Sequence, residues 1–235
     1  MLTAESARAT ARIAGFAYLA IFVLAILANF FVFLPLGVKG DAAATAANIA
    51  AAEPMVRAGV AAFILVLIAD IIVGWALYVV LKPAGAHLSL LTLLFRAAYT
   101  IAHIGVVLGL LSALSFASEP MFAAMLGEGG SALAYHFLAG HGLGFTVTLI
   151  FFGVHLLLLG ALIAKAGYMP RWIGWLVMLA GAAYVADGFG TILLNSLGAI
   201  AAMAVVLVAL IGEGALMLWL IIRGVNVSRF PAASS

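Results

Sequence analysis

The sequence contains no cysteine and very little charge, with ten basic and eight acidic side chains in 235 residues. The first absence excludes disulfides, thiol nucleophiles and thiolate metal sites. The second excludes an ordinary soluble domain, in which roughly a quarter of residues are charged. A net charge of +2, spread over the breaks between apolar runs, gives no basic patch, so nucleic acid is not expected as a partner. Catalytic signatures are missing too. There is no His-Glu-x-x-His pair, no phosphate-binding glycine loop ending in Lys-Ser/Thr and no Gly-x-Ser-x-Gly turn. Ser112 and Ser115 lie toward the outer end of an apolar run, which leaves no serine placed as a nucleophile at depth. The sequence therefore assigns no enzymatic activity.

What the chain has is apolar length, since 68% of its residues are hydrophobic. Six segments, about 13–36, 55–81, 88–116, 142–164, 172–194 and 197–222, can each cross ~30 Å of hydrocarbon. The first is too long for the apolar core of a cleavable signal peptide and reads as a retained helix. Breaks fall at Leu34-Pro35-Leu36-Gly37, Lys82-Pro83, Glu119-Pro120, 127–130, Gly167 with Pro170, and 195–198. The alanine-rich stretch 41–53 predicts a short helix, either interfacial or a plain connection. The expected fold is all-α: one integral membrane bundle over residues 1–235 with six transmembrane helices. Seven basic residues (Arg8, Arg12, Lys82, Lys165, Arg171, Arg223 and Arg229) flank one side of the spans and only Lys39 and Arg57 the other. That bias predicts both termini inside, in a bacterial cytoplasmic (inner) membrane.

Ionisable groups at membrane depth cost several kcal/mol and normally face a bundle interior and a partner. Asp70, Arg96, His103, His155, Asp187 and Glu213 come from five runs, at about 10–25 Å from the inner surface by helical rise. Overlapping depth predicts one buried polar site. Arg96, Tyr99 and His103 stand at i, i+3 and i+7, on one helix face; Tyr184 shares a face with Asp187 and Thr191, with Asn195 at its edge. His141, Thr148 and His155 form a third stripe, although His141 is expected near the outer surface. Arg96 is expected to pair with Asp70, Asp187 or Glu213. The candidate ligand-binding set is therefore Asp70, Arg96, Tyr99, His103, His155, Tyr184, Asp187 and Glu213. No metal or cofactor is required by these residues. The alternative is haem held between His103 and His155, two imidazoles on separate helices at similar depth. Gly153, Gly160, Gly174, Gly181 and Gly188 predict close helix approach.

The chain resembles the domain-of-unknown-function family number 4386 of bacterial membrane proteins. The resemblance rests on Arg12-Ile13-Ala14-Gly15 with Tyr18-Leu19, Asp70 with Trp75-Ala76-Leu77-Tyr78, Leu81-Lys82-Pro83 and Phe95-Arg96. It continues through Phe151-Phe152-Gly153-Val154-His155-Leu156, Pro170-Arg171, Tyr184 with Asp187, and Leu218-Trp219-Leu220. It implies a multi-pass membrane protein of this length and no particular activity. Three functions remain open: binding or transport of a small molecule or lipid at the buried site, a non-catalytic scaffold or accessory subunit, and a bis-histidine redox protein. Membrane lipids are the expected surroundings, and the sequence does not fix an oligomeric state.

Overall fold

A computed structural model describes residues 3–194 and 199–231. Among these residues the chain is helical throughout, and six helices are long and apolar enough to cross a membrane. The protein is a multi-pass membrane protein. In order, α1 (Ala4–Ile26) runs on through a π-helix (Leu27–Phe33) and one 3-10 turn (Leu34–Leu36), followed by the short α2 (Ala42–Ala51). Then come α3 (Glu53–Leu81), α4 (Ala86–Ser118), the short α5 (Pro120–Leu126), α6 (Glu128–Ala166), α7 (Arg171–Leu194) and α8 (Ala199–Ile222). Phe16, Ile68, Ile101, Leu193 and many other large apolar side chains point outward, as a lipid-facing surface requires.

The elements begin and end where backbone chemistry dictates. Asp41 caps α2 by accepting from the Ala44 amide at 2.8 Å. Pro120 opens α5 at a position whose N–H would have no helical partner. Gly167 and Gly224 take positive φ (76° and 65°) just past α6 and α8, a conformation that suits glycine. The fourth long helix starts at Glu128, well before the residue 142 expected. Residues 120–126 and 128–141, expected as an outer loop, are helical. The glycines at 127–130 suggested a long loop, yet only Gly127 has positive φ and breaks the helix. The expected turn at 195–198, with Asn195, lies outside the described residues.

Expected as one bundle, the chain divides into two compact units. The first comprises Met1–Ala20, Ala69–Thr100 and Thr146–Ser235; the second comprises Ile21–Ile68 and Ile101–Phe145.

The first unit is held by backbone-close helix contacts. A methyl group added at Gly153 would stand 2.7 Å from the Gly181 carbonyl, and one at Gly174 would stand 2.8 Å from the Ala164 amide nitrogen, so α6 and α7 touch along a glycine seam. Gly15 lets α1 approach α8 at Ile221, and Gly212 lets α8 approach α7 at Leu176. Tyr168, between α6 and α7, donates to the Val80 carbonyl of α3 at 2.9 Å and packs its ring on Phe230.

The second unit has an apolar core of Phe33, Leu36, Ile49, Val56, Phe63, Leu110, Leu114 and Ala134. α2 is tied back to the preceding turn, where Asn48 Nδ2 donates to the Leu36 carbonyl and Thr45 Oγ1 accepts from the Val38 amide.

Candidate functional site

The first unit buries a connected polar network with Arg96 at its hub. Arg96 is 1% exposed. Its guanidinium forms an ion pair with the Asp70 carboxylate through Nη2, and Nε donates to the Asp70 carbonyl at 3.0 Å. Holding a side-chain and a main-chain oxygen of one residue fixes the guanidinium plane against α3. Gly74, one turn further along α3, leaves room for the arginine stem: a methyl there would meet Arg96 Cδ at 3.2 Å.

The remaining donor, Nη1, reaches two acceptors at 3.2 Å each, Tyr18 Oη and His155 Nε2. Hydrogen-bond roles follow from the partners. Thr92 offers His155 only a carbonyl oxygen, 2.8 Å from Nδ1, so Nδ1 carries the hydrogen. Arginine can only donate, so Nε2 accepts and the tautomer is fixed from both sides. Below and beside the guanidinium lie the rings of Tyr18 and Phe152, 4.9 and 5.1 Å from Cζ, in cation–π range. Phe152 also stacks on His155 and contacts Tyr99 and Tyr184.

From Tyr18 the network continues to α8. Tyr18 Oη donates to Glu213 Oε2 at 3.4 Å, and Tyr184 Oη donates to Glu213 Oε1 at 2.9 Å. Both Glu213 oxygens are therefore acceptors, and the protein offers the carboxylate phenols rather than a cation of its own. The chain of contacts runs Tyr184–Glu213–Tyr18–Arg96, with Asp70 and His155 on the arginine. Each of the six long helices supplies one member: Tyr18 from α1, Asp70 from α3, Arg96 from α4, His155 from α6, Tyr184 from α7 and Glu213 from α8.

Of the residues singled out from the sequence, Asp70, Arg96, His155, Tyr184 and Glu213 meet in this network, and Tyr99 touches it through Phe152. Asp187 is half-buried and stands outside it. His103 belongs to the second unit, where its ring contacts Phe63, Phe145 and His141. Both nitrogens of His155 are engaged by Thr92 and Arg96. Tyr18 was not singled out: an apolar run with one tyrosine carries no charge to mark it.

A family model described as Domain of unknown function (DUF4386) matches residues 13–224, which include every member of the network. The chain belongs to that family. A similar protein in Archaeoglobus fulgidus, described only as an uncharacterized protein, is 32% identical over 164 residues, covering 70% of this chain and 82% of that one. No solved structure matches the chain.

Proposed function

We propose that this member of the family binds a small molecule or lipid at the Arg96–Glu213 network and transports it, with charge balance at Glu213 as the coupling device. One observation carries the reading: a buried network assembled from all six long helices contains two carboxylates and one guanidinium. Asp70 is matched by Arg96. Glu213 is not matched, and a bare excess charge at membrane depth costs several kcal/mol. A proton or a cationic ligand at Glu213 removes that cost, and the two phenols orient the carboxylate to receive either. Binding there changes the hydrogen bonds of Tyr18 and Tyr184, which stand on different helices, so occupancy is coupled to helix arrangement.

A scaffold built only of internal locks has no use for an unmatched acid, which favours the ligand reading over that alternative. The test uses proteoliposomes with an entrapped pH-sensitive dye and a potassium-diffusion potential. Wild-type protein should carry protons, either alone or on addition of a primary or quaternary amine from a panel, and Glu213→Gln should abolish the flux. Equal flux from wild type and Glu213→Gln removes Glu213 from the mechanism. No flux from wild type with any amine leaves the network as a structural lock.

A further inference from the structure

The second unit contains a separate cluster that the polar network does not use. His103 of α4 and His141 of α6 stand 6.3 Å apart, ring centre to ring centre. Both are buried. Phenylalanine rings wall them in: Phe63 is 5.2 Å from His141 and 6.5 Å from His103, Phe145 is 5.1 Å from His103, and Phe33 is 5.8 Å from His141. Neither ring nitrogen of His141 has a hydrogen-bond partner; the main chain of Val106 lies near it without closing a bond of normal geometry. A buried imidazole left in that state is costly and calls for a ligand.

A second, independent feature points to the same place. The Leu27–Phe33 segment of the first span is a π-helix, an irregularity found mostly at functional sites, and it delivers Phe33 against His141. Asn29 supports it by donating from Nδ2 to the Ala25 carbonyl at 3.1 Å.

We infer that His103 and His141 bind one monovalent copper ion between them, each through a single ring nitrogen. The distance fits. With ring centres about 1.1 Å from their nitrogens and metal–nitrogen bonds of about 2.0 Å, two imidazoles on opposite sides of one ion have centres about 6.2 Å apart. The donor set selects the ion. Among the described residues no group of three or more His, Cys, Asp or Glu side chains is placed to hold a metal, so zinc would lack its usual four ligands and calcium or magnesium its oxygens. Two neutral nitrogens in an apolar wall suit a soft ion of single charge that is content with two ligands in line. The phenyl faces add cation–π attraction. A porphyrin, by contrast, would have to displace the rings that touch both imidazoles.

The experiment titrates purified protein in detergent with Cu⁺, kept reduced by ascorbate, against a colorimetric Cu⁺ chelator, with Ag⁺ as a redox-inert competitor. Wild-type protein should withdraw one equivalent of Cu⁺ and release it to Ag⁺. X-ray absorption of the loaded protein should report two imidazole nitrogens as nearest neighbours. His103→Phe and His141→Phe, which keep an aromatic ring in the cage, should each lose Cu⁺ retention. If either variant fails to fold, the wild-type absorption spectrum decides alone. Wild-type protein that leaves all copper with the chelator, a first shell containing sulfur or more than two nitrogens, or folded variants that retain copper like wild type would each overturn the assignment.

Discussion

Replacing Arg96 by methionine keeps an unbranched, fully buried side chain and removes four interactions at once: the Asp70 ion pair and the donors to the Asp70 carbonyl, Tyr18 and His155. The dominant loss is the uncompensated Asp70 carboxylate, since breaking one partner of a buried pair costs about 3–5 kcal/mol. At ~2–4 °C per kcal/mol for a chain of this length, the melting temperature in detergent should fall by roughly 6–20 °C. Arg171→Met, on the exposed first residue of α7, is the control and should stay within ~0.5 kcal/mol of wild type. The decisive step adds Asp70→Asn to Arg96→Met. With the charge gone, the double variant should melt above Arg96→Met, because the penalty came from the unpaired carboxylate. Tryptophan fluorescence melts of all four proteins in one detergent measure this directly. Arg96→Met melting like Arg171→Met, or a double variant that loses the sum of both single costs, would refute the pairing argument.

Three further outcomes follow from other parts of the structure. Gly153→Ala forces a methyl toward the Gly181 carbonyl and should cost about 1–3 kcal/mol in a detergent melt, whereas Gly105→Ala, with nothing within 4 Å, should be neutral or slightly stabilising. Burial pushes the Tyr168 phenol above the ordinary tyrosine range, so its contribution to stability is present below about pH 10 and is lost as pH rises through its folded-state value. Tyr168→Phe should therefore melt about 0.5–1.5 kcal/mol less stably near neutral pH, through the lost bond to Val80, and the gap should narrow in alkaline buffer. Reporter fusions after Lys165 and after Arg229 should both report cytoplasm, as the basic-residue bias requires, and a signal from the far side at either would reverse the topology.

The six long helices were legible because apolar length is a bulk property: hydrocarbon thickness sets it, and no partner is needed to read it. Asp70, Arg96 and Glu213 were legible for a related reason, since charge at depth is costly enough to imply a partner. Tyr18 carries no such mark. Its role comes from standing between two charged groups on α4 and α8, and only tertiary structure reveals that position. His141 was expected near the outer surface because its helix was expected to begin at residue 142. With α6 starting at Glu128, the same residue is well inside the helix and buried. His103 was grouped with Arg96 by helical spacing, which correctly gives both a buried face. Spacing says which way a side chain points; it does not say which neighbours wait there, and those of His103 are the rings of the second cluster.

The π-helix also makes chain length itself a determinant. Its wider turn, marked by the Leu34 amide bonding back to the Asn29 carbonyl, accommodates a residue that an ordinary helix would have no place for. Deleting one residue between Leu27 and Phe33 would let the segment relax into regular α-helix with every backbone bond restored. The repaired helix would nevertheless turn whatever follows by about 100° and carry Phe33 away from Phe63 and His141. Homologues one residue shorter in this stretch should accordingly be unable to keep the aromatic wall, and an indel there would separate relatives that have the histidine cage from those that lack it.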